Sequence, residues 1–312
     1  MPTLVTGGAG FIGRHLVNRL LAMNGNIVRA FDNESRGKFN GASSQRLECI
    51  PGDIRMASDL RRAMQSCDSV FHLAANATVM GCEHRPFDAH EVNATGTLTV
   101  LRIAKELGVR RVVVASSREV YGEASDLPVS ESAPTKPKNV YGTTKAAAEA
   151  HCARASSDLQ VIILRLSNVY GPGDTDRVIP RFICDAENNR PLTLYGGNQI
   201  VDFVWVNYVV EAFVRAGLHS RGVGAVNVAS GKGTTILEAA RRVIQLCHSD
   251  STPHIMAARE AEVSRFIADV RKMEQELGVG VPTDPLEGLA ALCRPIARRF
   301  SELPASHAET GS

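Results

Sequence analysis

The sequence predicts an α/β protein built on a doubly wound parallel sheet, with a smaller lobe toward its C-terminus. Three observations predict it. Short β-branched runs alternate with longer helical patterns through the first half. Several of those runs are apolar at every position, as in Val112-Val113-Val114 and Val161-Ile162-Ile163-Leu164, which suits strands covered by helices on both faces. The first run leads straight into a glycine-rich turn and an amphipathic helix, the opening of a Rossmann-type unit.

The strands of that sheet are expected at Thr3–Val5, Ile27–Phe31, Leu47–Ile50, Ser69–Leu73, Arg111–Ala115 and Val161–Leu166. Helical spacing of apolar residues marks Ile12–Met23, Ser58–Ser66, Asp88–Leu107 and Val140–Ala155 between them. Gly171-Pro172-Gly173 is a strong turn signal, and a helix at Ile179–Asn188 follows it. Further strands are expected at Val201–Val206 and Ala225–Val228, and a helix at Thr235–Gln245. The reading assigns residues 1–170 to a cofactor domain, with 200–245 returning to it. Residues 171–199 and 246–303 form the substrate lobe, and 304–312 are polar enough to be disordered.

Composition narrows the class. Of 312 residues, 44% are hydrophobic and 22% charged, the proportions of a soluble globular protein. A net charge of +2 creates no field that calls for nucleic acid or a membrane surface. Arg294, Arg298 and Arg299 cluster late in the chain, as a solvated helix face or an anion site. The seven cysteines are odd in number and never spaced as CxxC, which argues against both a disulfide framework and a zinc site. No stretch reads as a signal peptide or reaches the length of a bilayer span. A cytoplasmic location with reduced thiols and no bound metal is the expectation.

The glycine turn reads Thr6-Gly7-Gly8-Ala9-Gly10-Phe11-Ile12-Gly13. A strand that turns sharply into a helix while its backbone touches a pyrophosphate needs residues without a Cβ. The helix N-terminus then supplies N–H donors and a positive dipole end. An isolated glycine fingerprint is weak, and its place between a strand and a helix strengthens it. Asp32 ends the second strand, where a carboxylate binds ribose hydroxyls and repels a 2′-phosphate, so NAD is expected over NADP. Arg36 and Lys38 lie close by and can neutralise a phosphate. Asp53 follows the third strand as an adenine contact or as a turn-capping aspartate.

Tyr141 and Lys145 are four residues apart on one helix face. A nearby ammonium is expected to lower the tyrosine pKa toward working pH. Such a phenol can take a proton from a sugar hydroxyl as hydride leaves for a nicotinamide. Ser117 stands at the C-terminal end of its strand, where doubly wound folds place ligands, and its hydroxyl can bond the oxygen that changes charge.

Gly7/Gly10/Gly13, Phe71-His72-Leu73-Ala74-Ala75, Ser116-Ser117-Arg118-Glu119-Val120-Tyr121-Gly122 and Tyr141 with Lys145 resemble the extended short-chain dehydrogenase/reductases. More narrowly they resemble the NAD-dependent epimerase/dehydratase family of nucleotide sugars. The resemblance extends to Asn93, Leu166-Ser167-Asn168-Val169-Tyr170-Gly171-Pro172 and Asn227-Val228-Ala229-Ser230-Gly231, and spans about residues 3 to 290. It implies Tyr141 as acid/base, Lys145 on the nicotinamide ribose and Ser117 on the reacting oxygen. It implies a tightly held NAD lined by Phe11, Ile12, Asn33, Ile54, Leu73, Ala74, Ala75, Asn93 and Ala115. It also implies a nucleotide-diphosphate sugar, a UDP-sugar for preference, bound near Thr78, Arg118, Asn168 and Arg259. A homodimer through helices 88–107 and 140–155 completes the set.

Two departures from the family pattern bear on substrate and reaction. Where similar enzymes carry a phosphate-clamping arginine, this chain has Val201. Loss of a fork-shaped donor weakens diphosphate binding by about 1.5–3 kcal/mol unless another group replaces it. Arg177 and Arg181 are candidates, surface positions being the alternative for each, while Arg259 keeps the second expected arginine. Asn207-Tyr208 stands where Asp-Asp is usual. Arg118 occupies the place of the proton-donating aspartate of similar 4,6-dehydratases, next to Glu119, a candidate base or a structural carboxylate. The leading expectation is 4-epimerisation through a transient 4-keto sugar. The alternative is dehydration or decarboxylation from the same intermediate with Glu119 as base, and a non-catalytic NAD-binding protein stands third.

Overall fold

The computed structural model describes residues 1–39, 44–157, 159–218 and 224–293. The 304–312 tail and the cluster of Arg294, Arg298 and Arg299 lie outside the described residues. In chain order the elements begin β1 (Thr3–Thr6), α1 (Phe11–Ala22), β2 (Val28–Asp32), β3 (Leu47–Pro51), α2 (Ala57–Met64) and β4 (Ser69–His72). Next come α3 (Val79–His84), α4 (Pro86–His90), α5 (Gly96–Glu106), β5 (Arg111–Ser117), α6 (Val140–Ala155), β6 (Gln160–Leu166) and β7 (Asn168–Tyr170). The chain continues through α7 (Val178–Glu187), β8 (Leu192–Tyr195), β9 (Ile200–Val201), β10 (Phe203–Trp205), α8 (Val206–Leu218) and β11 (Gly224–Val228). Then follow β12 (Thr234–Thr235), α9 (Ile236–Leu246), β13 (Pro253–Met256), α10 (Arg271–Leu277) and α11 (Leu289–Leu292).

Seven strands form one parallel sheet in the order β3-β2-β1-β4-β5-β6-β11. Strand order reverses between β1 and β4, which opens a crevice at their C-terminal ends. The sheet is buried on both faces because its side chains alternate between two cores. Val113 and Ala115 of β5 and Ile162, Leu164 and Leu166 of β6 pack with α1, α8 and α10. Val112, Val114, Val161 and Ile163 pack on the other face with α2 and α5. The doubly wound fold is as the apolar runs predict.

Beyond the sheet, Phe182 and Ile183 of α7, Leu192 and Leu194 of β8, and Ala239, Ala240 and Val243 of α9 form a separate core. Packing therefore differs from the expected division at several elements, and Val201 of β9 and Phe203 of β10, expected to return to the cofactor domain, lie in the lobe's core. Helix α9, expected within the returning segment, joins the lobe, while Met273 and Leu277 of α10 pack on the sheet.

Other differences have local causes. The single strand expected at Val201–Val206 is two short strands, β9 and β10, interrupted at Asp202. The fully buried Asp202 carboxylate accepts hydrogen bonds from the backbone of Ser230, Gly231 and Ala268 and from the Ser230 hydroxyl, gathering two loops around this break. Val206 begins α8, an unexpected helix whose β-branched, apolar sequence carries a strand's propensity. Tertiary burial overrides it. The helix expected at Asp88–Leu107 starts at Pro86 and includes one π-helical turn, Glu91–Thr95.

Beneath the crevice, β6 and α6 are joined by a buried ion pair. Arg165 donates to both carboxylate oxygens of Glu149 at 2.7–3.2 Å, and the Ser116 hydroxyl donates to Glu149 at 2.5 Å. Arg165 also reaches the Tyr121 hydroxyl, which donates to Asn227 of β11. Nearby, the buried His72 side chain is held between Thr6 and Thr97. The Thr97 hydroxyl donates to the Asn93 carbonyl, so His72 Nε2 carries the proton and Nδ1 accepts from Thr6. Burial pushes His72 down to about 3.

Two outcomes follow. Glu149→Leu or Arg165→Leu alone lowers unfolding free energy by about 3–5 kcal/mol, and the double replacement by much less, because only a single change strands a buried charge. Urea unfolding of the three variants measures this. His72 stays neutral when folded, whereas an unfolded imidazole takes up a proton below about pH 6.5. Stability is therefore lost as pH falls from 6.5 toward 3, by up to about 1.4 kcal/mol per unit from this group. A His72→Gln variant shows a correspondingly shallower slope between pH 6.5 and 4.5.

Candidate active site

A cavity of about 730 Å³ runs along the C-terminal ends of β1, β2, β4 and β5 and reaches under the lobe. Its first wall is the turn after β1. Gly7 has φ +74°, and a Cβ at Gly13 would meet the Gly7 carbonyl oxygen at 2.0 Å. Strand, turn and helix can come this close only with hydrogen at both positions. The turn thereby presents backbone and the start of α1 to the cavity, a cradle that fits a dinucleotide pyrophosphate.

Asp32 ends β2 on the same wall, its carboxylate accepting from the Ala9 and Glu34 amides at 3.1 and 2.8 Å. Burial raises its pKa, and these two bonds oppose the rise. Asp53 lines the cavity too. Its carboxylate is paired with Arg55 at 2.6 Å, which holds its pKa below the ordinary value. Phe11, Ile12, Asn33, Ile54, Leu73, Ala74, Ala75 and Ala115 complete this half of the lining.

Ser117, Tyr141 and Lys145 meet at the end of β5. Asn139 caps α6 through the Gly142 amide, so the helix starts at the cavity with Tyr141 in its first turn. Lys145 lies one turn on, buried, and donates to the Ala115 carbonyl at 3.0 Å. Its Nζ is 5.9 Å from the Tyr141 ring centre. The expectation that Lys145 lowers the tyrosine pKa is corrected here. Desolvation dominates and pushes the phenol up to about 12, opposed by Arg177 and by a hydrogen bond with Ser117, while Glu119 and Cys82 add to the rise. Burial also brings the Lys145 ammonium down to about 8.

One expected cofactor contact is not on the wall. Asn93 is fully buried on the π turn, and its amide is consumed by the Asn76 backbone and the Thr144 hydroxyl. It ties the loop after β4 to α6 and stands behind the cavity.

The far half is rich in guanidinium. Val201 is apolar and buried, as its type requires, but Arg118, Arg177, Arg181 and Arg259 all line the cavity. Arg177 is held by Asp174 at 3.0 Å and lies 5.5 Å from the centre of the Phe11 ring. Arg259 stacks on Tyr195, 3.7 Å from its ring centre. Thr78, Glu119 and Asn168 lie on the same stretch. Sequence reasoning missed Tyr195 and Asp174, which no motif marks. Only the path of the chain through β8 and the 171–177 turn brings them to the wall. Among the described residues no group of histidine, cysteine or carboxylate side chains could hold a metal ion, and no helix is long and apolar enough to cross a membrane.

Comparison with known proteins places this geometry. A UDP-glucose 4-epimerase from Mycolicibacterium smegmatis is 33% identical over 305 residues, covering 93% of this chain and 96% of that protein. A UDP-glucose 4-epimerase from Thermotoga maritima, solved with UDP-glucose, superposes with a TM-score of 0.89 at 29% identity, covering 94% of this chain and 97% of the other. A Thermus thermophilus UDP-glucose 4-epimerase, solved with NAD, gives 0.87 at 30% identity, with 94% and 98% covered. The NAD dependent epimerase/dehydratase family matches residues 3–229. With its glycine turn, Ser117, Tyr141 and Lys145 lining one cavity, this chain belongs to that family and is an NAD-dependent enzyme.

Proposed function

We propose that the chain is a nucleotide-sugar 4-epimerase, acting for preference on a UDP-sugar. The observation that carries this reading is the convergence of Ser117, Tyr141 and Lys145 beside the glycine turn, in one cavity whose far half holds Arg118, Arg177, Arg181 and Arg259. NAD, held by the glycine turn and Asp32, would supply a reversible hydride acceptor for C4 of the sugar. Tyr141 takes the proton of the C4 hydroxyl and gives it back, while the Ser117 hydroxyl holds that oxygen as its charge changes. Lys145 turns from the Ala115 carbonyl to the nicotinamide ribose. Arg177, Arg181 and Arg259 offset the diphosphate charge that Val201 cannot meet, and Asn168 adds a donor.

Gly7, Gly10 and Gly13 cradle the pyrophosphate, and Asp32 takes the adenosine ribose, which disfavours a 2′-phosphate. Glu119, already paired with neighbouring side chains, favours epimerisation over elimination or decarboxylation. The substrate sits between the sheet domain, residues 1–170 with α8 and β11 returning to it, and the lobe that holds α7, β8 and α9. The enzyme works in the cytoplasm as a homodimer through the helices at 88–107 and 140–155.

Tyr141→Phe keeps NAD and loses at least about 10²-fold in turnover, the contribution expected of a placed acid/base. Interconversion of UDP-glucose and UDP-galactose, followed by NMR beside an NAD titration, tests this, and unchanged turnover removes Tyr141 from its role. Asp32→Gly narrows the preference for NAD over NADP, read by direct titration of both.

A further inference from the structure

A ketone at C4 acidifies the hydrogens on the two neighbouring ring carbons. Any free carboxylate beside such a ketone removes one of them: the proton passes to the carboxylate, the C–H electron pair moves into the C4 carbonyl as an enolate, and a solvent proton later returns to carbon. Glu119 is a carboxylate in that position. It lines the cavity two residues from Ser117, and its charge acts on the Tyr141 phenol.

The structure engages both of its oxygens. Oε1 is ion-paired with Arg118 Nη2 at 2.9 Å, and Oε2 accepts from Asn139 Nδ2 at 2.7 Å. Arg118 is fixed in turn: its Nε donates to Asn168 Oδ1 at 2.7 Å, and its guanidinium lies 5.4 Å from the centre of the Phe266 ring. Arg118 and Glu119 are only 8% and 5% exposed, so water screens the pair little. Arg118 Nη1 has no partner in the protein, which leaves a donor for an oxygen of the sugar.

We propose that Arg118 determines reaction specificity: by pairing Glu119 it suppresses proton loss beside the C4 ketone and confines the enzyme to inversion at C4. The inference rests on the epimerase reading and adds a residue that decides which bond reacts. With one oxygen ion-paired to a guanidinium and the other accepting from an amide, the carboxylate must give up a contact before either oxygen can take a proton from carbon.

The full chain is incubated with UDP-glucose in deuterium oxide, and the recovered sugar nucleotides are read by NMR and mass spectrometry. Wild type inverts C4 without deuterium at C5. Arg118→Leu raises deuterium at C5 per C4 inversion on the order of 10²-fold, the low end of what a placed general base contributes. Arg118→Lys keeps deuterium at C5 per C4 inversion near the wild-type ratio, and the double variant Arg118→Leu/Glu119→Gln loses the exchange. Should Arg118→Leu not fold, Arg118→Gln carries the same expectation, with bound NAD and circular dichroism reporting a native chain. Deuterium at C5 in wild type, or C4 inversion without it in a folded Arg118→Leu or Arg118→Gln, overturns the inference. Absence of any C4 inversion in wild type with NAD bound instead overturns the epimerase reading on which it rests.

Discussion

The site depends on a charge pair that never touches it. Tyr141, Lys145 and Glu149 recur every four residues on α6, so they share one helix face. The last of them is locked to Arg165 of β6 and to Ser116 of β5. One carboxylate therefore sets both the rotation of the helix that carries the phenol and the position of the strand end that carries Ser117. A buried pair of this kind contributes little net stability over a well-packed apolar equivalent. Its value is register: an apolar contact tolerates sliding, whereas a forked guanidinium on a carboxylate does not. Tyr121 and Asn227 extend the lock to β11 at the sheet edge.

Burial shapes the chemistry as well as the geometry. Burial pushes the phenol up and the ammonium down, each away from its charged form. A low-dielectric pocket of this kind strengthens whatever charge a ligand brings. Arg177 is the cation that acts on the phenol, and it belongs to the turn before α7. The Tyr141 phenol of α6 thus feels a guanidinium from across the cavity, set among the groups proposed to meet the diphosphate.

Much of the fold was legible. Uninterrupted β-branched runs can be satisfied only inside a two-sided sheet, and the bounds of α6 were read correctly from its helical pattern. Helix α8 was not legible, since Val209, Val210, Phe213 and Val214 carry a strand's propensity and only packing on the sheet makes them helical. The break at Asp202 was hidden for a related reason: its partners lie more than twenty residues away in sequence. In the site, glycines, Ser117, Tyr141 and Lys145 were legible because spacing fixes them. Asn93 was assigned to the cofactor although its amide is spent within the protein, and the direction of the Tyr141 shift required a burial that sequence does not display.

The π turn at Glu91–Thr95 has a consequence for chain length. Asn93 faces Asn76 and Thr144, while Thr97, one turn later, faces His72. Each residue of a helix advances the side-chain direction by about 100°. Adding or deleting a single residue between His90 and Gly96 would keep a helix and still swing one of these two anchors off its target. The cavity's back wall is therefore tuned by counting as much as by composition, and a length change there would disturb it more than most substitutions.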